Sequence, residues 1–294
     1  MKTSFKMAGA LAALCTLVLA GARNGKGLAR ETPIHSQNAP NDGAARGAGR
    51  QLDHADGDTW HPNEPDGFIT LAESKFDSMT EGGFVAHKRN TLGSIVQDPS
   101  APQSPDNVYR MVYTKGPHDG VGVENRLWSP TVPGGRTREM YVHTWWKVSD
   151  NWYGHSSGVN KMFFLTTVNN TGVVVEVGGK FHEPLTVRVV TQGRLKAANY
   201  YANKNRSKAR IKRGKWQEWE VLVRAPQPGE ANAELHVWLD RIKVIEALMP
   251  VNDVNAENRF QNLNVDPIWG GRHGSIPEEQ YFYCDYIYVS YKRS

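Results

Sequence analysis

The sequence predicts an all-β protein, a two-sheet antiparallel sandwich or barrel, on three observations. Short segments rich in Val, Ile, Thr, Tyr, Phe and Trp recur from residue 67 onward, split by Gly, Pro, Asn and Asp. None of them carries the spacing of a long amphipathic helix. The 294 residues are 39% hydrophobic and 22% charged, with 28 Gly and 16 Pro. Those proportions suit a folded globular chain and exclude collagen, coiled coil, a disulfide-stapled miniprotein and a wholly disordered polymer.

In chain order, Lys2 and Lys6 precede an apolar run from Met7 to Ala20, and Ala20-Gly21-Ala22 is a small-residue cleavage pattern. Residues 1–22 therefore read as a secretory signal peptide, too short in its apolar run to span a bilayer. Export to the periplasm or the medium is the expected localisation, with no membrane contact after cleavage. Residues 23–60 are rich in Gly, Ala, Asn, Arg and Asp without apolar periodicity and read as a disordered linker. The domain is expected over 61–294. Its strand candidates are 67–74, 108–114, 122–128, 139–148, 160–167, 172–178, 185–192, 216–224, 233–247 with a turn near Asp240, and 281–291. Cys15 leaves with the signal, so Cys284 cannot form an internal disulfide and reads as a small buried hydrophobe. Stability must then come from a core.

Alternation assigns faces in the clearest segments. In 139–148, Met140, Val142, Thr144, Trp146 and Val148 form a core face. Tyr141, His143, Trp145 and Lys147 form the other, which suits the floor of a sugar groove or an ordinary exposed strand face. In 216–224, Trp219, Val221 and Val223 face the core. Glu218 and Glu220 share the opposite face, where two carboxylates have the look of a glycosidase pair. With no other hydrolase motif around them, they read as solvated strand residues.

Charge is concentrated in one place. From residue 61 onward there are 28 Lys and Arg against 25 Asp and Glu, yet Arg188 to Lys215 carries ten cations and no acid. The remainder of the domain is net negative by 7. This stretch, with Tyr200 and Tyr201 among its cations, reads as a long loop bordering a groove. Such a loop recruits polyanions. Basic residues mixed with aromatics also describe a single-strand nucleic-acid binder. Export argues against nucleic acid and makes an anionic polysaccharide the expected partner.

The succession RTREMYVHTWWKVSDNWYGHSSGVNKMFFL, GKWQEWEVLVR, ELHVWLDRIKVI, PIWGG and QYFYCDYIYVS resembles the concanavalin A-like jelly rolls. Among these it is most similar to the jelly-roll polysaccharide lyases of the alginate, glucuronan and heparin lyase group, over residues 67–291. The resemblance implies a jelly-roll sandwich. Arg138-Glu139 resembles the Arg-Glu pair opening a groove strand, and Gly158-Val159-Asn160-Lys161 resembles a Gly-Gly-Lys segment, which makes Lys161 the leading catalytic candidate. Trp269-Gly270-Gly271 resembles an aromatic-Gly-Gly loop at the groove mouth. The chain departs from the pattern where the strand after the lysine is Gly172-Val173-Val174-Val175-Glu176 rather than a tyrosine-bearing one, and in lacking a Gln-x-His signature.

Lyase action on a uronate polymer removes the proton at C5 and expels the oxygen at C4, which requires a base, an acid and a carboxylate clamp. His155 or His143 could be the base, Tyr141 the acid, and Lys161 with Arg188 the clamp. Lys161 could instead be the base. Arg138, Trp145, Trp152, Tyr200, Tyr201, Trp269, Arg272 and His273 are the candidate substrate-binding residues, the tryptophans through stacking. No metal, phosphate-cradling or dinucleotide signature is present, and no cofactor is expected. A structural calcium, common in this fold class, is left open. The expected function is a secreted lyase of an acidic polysaccharide. The alternative is a carbohydrate-binding jelly roll without catalysis.

Overall fold

A computed structural model describes residues 60–86, 92–118, 126–167, 172–192, 200–205, 207–227, 229–249, 259–271 and 273–293. The described residues fall in one compact unit, Gly57–Ser294. The signal-like leader and linker residues 23–59 lie outside the description, as does Arg272.

Seventeen strands succeed one another: β1 (Phe68–Ser74), β2 (Val85–Ala86), β3 (Gly93–Val96), β4 (Val108–Tyr113), β5 (Gly116–His118), β6 (Leu127–Trp128), β7 (Glu139–Val148), β8 (Asn160–Thr167), β9 (Gly172–Gly178), β10 (Thr186–Thr191), β11 (Tyr200–Ala202), β12 (Gln217–Arg224), β13 (Ala233–Leu239), β14 (Ile242–Met249), β15 (Phe260–Trp269), β16 (Gly274–Ile276) and β17 (Gln280–Lys292). Among the described residues there is no α-helix. Sheet A runs β14-β13-β12-β7-β17-β4-β3, with β1 also paired to β17. Sheet B runs β11-β10-β9-β8-β15-β6-β2, and β5 pairs with β16 apart from both. The pairings are antiparallel, and the two sheets stack as a β-sandwich.

The core lies between the sheets. Met140, Val142, Trp146 and Val148 of β7 and Trp219, Val221 and Val223 of β12 meet Leu165, Val173, Val175, Val177, Val187 and Val189 of sheet B in one buried cluster. Trp146 and Trp219 lie with ring centroids 4.0 Å apart at its centre. The core faces read from alternation on β7 and β12 are the observed ones. β13 and β14 join through Asp240 and Arg241 at φ 51° and 65°, the two-residue turn whose twist suits a hairpin. Cys284 is buried, as expected of a small hydrophobe, and burial pushes its thiol up to about 12.

Two sequence expectations are corrected. The basic stretch is not one long loop, because Tyr200–Ala202 forms β11 and pairs with β10 at the edge of sheet B. The ten-residue β15 was not expected at all. Trp60, the last residue of the expected linker, has its ring centroid 6.1 Å from that of Tyr286.

Candidate functional site

Strand alternation gives each sheet an outer face, and the two faces differ in chemistry. On sheet A, Tyr141, His143 and Trp145 of β7 point away from the core, in register with Leu222, Glu220 and Glu218 of β12. Tyr286 and Tyr288 of β17 pair with Trp145 and His143 on the other side. Residues 60–64 close over this face. The His61 ring stacks on Tyr288 at 3.7 Å between centroids, and its Nδ1 lies 2.9 Å from Nδ1 of His143. Asn63 donates from its backbone N and its Nδ2 to the Glu220 carboxylate at 3.0 and 2.8 Å. Tyr141 donates to the same carboxylate at 2.5 Å, and Tyr288 donates to Glu64 at 2.9 Å.

His143 Nε2 lies 3.1 Å from one oxygen of Glu218, and Arg241 Nε lies 3.1 Å from the other. Burial alone would raise Glu218, but these two partners outweigh it and hold the carboxyl below the ordinary value. Burial and the adjacent Glu220 push the Tyr141 phenol far above its ordinary range, so it serves as a hydrogen donor and does not ionise. Glu218 and Glu220 are 4% and 0% exposed, which corrects the expectation of solvated residues. Residues 61–64 contact this part of the face, where Glu218 and Glu220 are held by His143, Arg241, Tyr141 and Asn63.

The outer face of sheet B carries the second group of candidates. Lys161 of β8, Glu176 of β9 and Arg188 of β10 stand side by side in one cross-strand row. Arg188 donates from Nη1 to the Gly158 carbonyl at 3.1 Å and brings Nη2 to 3.9 Å from Glu176. Glu176 is 1% exposed, and its Oε2 has no hydrogen bond. Burial raises its carboxyl above the ordinary value, against the pull of Arg188 and Lys161. Lys161 is half-buried, with Nζ 5.8 Å from the centre of the Phe164 ring. The next row of the register comprises Phe164, Val174, Val190 and Tyr200. Lys161 and Arg188 thus flank a buried carboxylate, and Val174 in the adjoining row is itself fully buried.

No protein-family model matches the chain, and no curated protein matches it. Solved structures do. A variant of the alginate lyase Aly36B, with one lysine and one tyrosine replaced by alanine and in complex with an alginate tetrasaccharide, superposes at a TM-score of 0.53 and 12% identity over 76% of this chain and 93% of that one. The marine PL-14 alginate lyase from Aplysia kurodai superposes at 0.53 and 11% identity, over 75% and 98%. The fold is that of the jelly-roll polysaccharide lyases.

Within that jelly-roll lyase fold, the candidate residues do not converge. Tyr141 and His143 lie on the outer face of sheet A, whereas Lys161 and Arg188 lie on the outer face of sheet B, with the core between them. The single trough expected from sequence is therefore two separate surfaces. Trp152 is fully buried against Tyr113, and Trp269 is buried with Nε1 donating to the Tyr153 carbonyl at 2.7 Å. Neither presents a ring face to a sugar, which corrects the stacking expectation. Trp145 is half-buried on the sheet A face. Arg138 donates to the Ala225 carbonyl at 2.9 Å, at the end of β7 remote from His143. Tyr201 is half-buried on β11, and His273 is exposed at φ 62°.

His155 is 2% exposed and packed against Trp269, Gly270 and Gly274. A Cβ at Gly270, where φ is 77°, would fall 2.0 Å from His155 Cγ, so only glycine fits that approach. Its Nδ1 receives the Ser157 and Gly271 amides at 3.0 and 3.3 Å, leaving Ser157 Oγ, at 2.7 Å, to donate as well. Burial pushes the imidazole below its ordinary value. This buried histidine, bonded through Nδ1 alone while its Nε2 has no partner among the described residues, packs inside the fold below Gly158. The residue that sequence reasoning missed is Glu176, hidden within an apolar run of valines. Its one signal was being the only charge in that strand.

Proposed function

We propose that this protein is a lyase that splits a uronate-containing polysaccharide by β-elimination on the outer face of sheet B. The observation that carries the reading is the Lys161–Glu176–Arg188 row on that face of this jelly roll. Arg188, anchored to the Gly158 carbonyl, pairs with the substrate carboxylate and disperses the charge that builds on it as the C5–H bond breaks. Lys161, in the same row, is the candidate base for the C5 proton. The electron pair forms the C4–C5 double bond and the C4–O bond breaks. The departing oxygen takes up a proton from water. The alginate-bound relative is a variant with a lysine and a tyrosine replaced by alanine, and lysine is the residue type of Lys161. The reaction so written uses no cofactor, and the signal-like leader supports action outside the cell.

The test is ultraviolet absorbance of the new conjugated double bond on incubation with alginate, glucuronan, heparin-type and pectic polymers. At least one should give a rise. Lys161→Ala should lower the rate about a hundredfold or more with an unchanged thermal melt. Full turnover by that variant overturns the assignment of Lys161. Binding without absorbance change for every polymer overturns the lyase reading in favour of a binding module.

A further inference from the structure

Three arginines converge at one end of the sandwich, away from both faces described above. Thr137, just ahead of β7, exchanges backbone hydrogen bonds with Phe260 at the start of β15, both at 2.8 Å. Its hydroxyl donates to the Lys292 carbonyl at the end of β17 at 2.7 Å. Thr137 is 0% exposed, so this staple is a fixed part of the fold tying both sheets together. The residues flanking its three members are Arg136, Arg259 and Arg293. They line a recess of about 240 Å3 together with Pro133, Gly134 and Tyr291.

Among the described residues no carboxylate lines this recess, and none of the three guanidiniums has an ion pair there. Some other arginines of the chain do find carboxylates. Arg224 pairs with Glu139 and Glu234, Arg126 with Asp266, and Arg241 with Glu218. Arg136 and Arg293 are exposed, so water screens their mutual repulsion, but three planar guanidiniums around one recess match the oxygens of a carboxylate, sulfate or phosphate. The volume is small against a drug-sized pocket and suits one oxyanion or one sugar unit bearing it.

We infer that the Arg136–Arg259–Arg293 recess binds an oxyanion, either free or carried on an acidic saccharide unit. Phe260 pairs with Thr167, whereas Lys161 lies six residues away along β8, roughly 20 Å at strand spacing. The recess is thus a site apart from the Lys161 row, and it stands whether or not the chain is a lyase.

Calorimetric titration of the full chain with inorganic sulfate, with glucuronate and with a short oligouronate tests it. The Lys161→Ala background prevents turnover. Saturable binding of sulfate as well as of glucuronate marks a free-anion site, and binding of the sugars alone marks a saccharide subsite. In either case Arg136→Ala with Arg259→Ala should weaken binding at this site about a hundredfold. Arg136→Lys with Arg259→Lys keeps the charge, loses the fork and should weaken it less. Arg293 is exposed and follows the last strand, so Arg293→Gln leaves the fold intact and should by itself weaken binding several-fold should the double variant not fold. Failure of all three ligands to bind, or affinities unmoved by these substitutions, would overturn the inference. Lyase activity in the Lys161 parent is a separate readout and does not enter it.

Discussion

Replacing Glu220 by alanine should be among the most destabilising polar substitutions in the protein. The carboxylate is fully buried and receives three donors, the Tyr141 hydroxyl and the backbone and side-chain amides of Asn63. Its removal strands the Tyr141 hydroxyl in a dry site, which costs about 1–3 kcal/mol. It also removes two charge-assisted bonds that hold residues 60–64 against sheet A. Those amides can turn to water, so their loss counts less, about 1–2 kcal/mol together. The total is roughly 3–4 kcal/mol. For a domain of this size each kcal/mol lowers the melting temperature by about 2–4 °C, so a drop on the order of 10 °C is expected by calorimetry at pH 7. Glu220→Gln keeps an acceptor for Tyr141 and should fall by about half as much. Turnover per folded molecule should stay within about threefold of the parent, because Glu220 lies on the face opposite Lys161. A Glu220→Ala protein that melts within 2 °C of the parent would refute the reasoning that this network closes the face. Loss of turnover at unchanged stability would instead move the active surface to sheet A.

Other outcomes follow from the same geometry. Glu218 is held below the ordinary value of 4.5 by His143 and Arg241 despite burial, so its contribution is complete above that pH and is lost as pH falls through the lower folded-state value. The melting temperature should therefore decline on acidification below pH 4.5 more steeply in the parent than in Glu218→Gln. Trp152→Ala should destabilise the fold by about 3–5 kcal/mol in denaturant titrations, with sugar affinity per folded molecule unchanged, because the indole is core and not platform. Cys284, buried and with its thiol pushed up to about 12, should resist alkylation at pH 8 in the native state and react only on unfolding. Affinity for an acidic polymer should fall steadily between low and physiological salt, since Lys161 and Arg188 act on it from a partly solvated face.

The sandwich was legible because strands buried on one face announce themselves by alternation. Residues 139–148 and 216–224 show this, and the structure puts Trp146 against Trp219 as those patterns require. β15 escaped detection because its sequence mixes Asn262, Asn264, Asp266 and Pro267 with its core residues Leu263 and Val265. Proline cannot donate to a ladder, and the register between β15 and β8 shifts between Val265 and Ile268 to accommodate it. β11 escaped because two tyrosines inside a run of cations look like a loop, whereas only pairing with β10 makes them a strand. Local sequence cannot supply that information.

The placement of the site failed for a more general reason. Alternation tells which side chains leave the core, but not which of the two outer faces they reach. β7 and β8 are consecutive and would be hairpin partners by default, yet β7 pairs with β12 and β17 while β8 pairs with β9 and β15. The chain from Ser149 to Val159 therefore crosses from one sheet to the other, and His155 and Trp152 are buried in that crossing rather than displayed on it. With the strands assigned, Glu218 and Glu220 on sheet A meet His143, Arg241 and Asn63, whereas sheet B places Lys161 and Arg188 around one buried carboxylate. Glu176 cannot be spare in that arrangement. A buried carboxylate without a full set of donors is tolerated only beside cations, and it holds those two cations at a common height on the sheet. Glu176→Gln should thus leave the fold intact, loosen the clamp and raise KM for an acidic polymer more than it lowers kcat. The opposite pattern, a fall in kcat at constant KM, would mean that the carboxylate itself handles a proton.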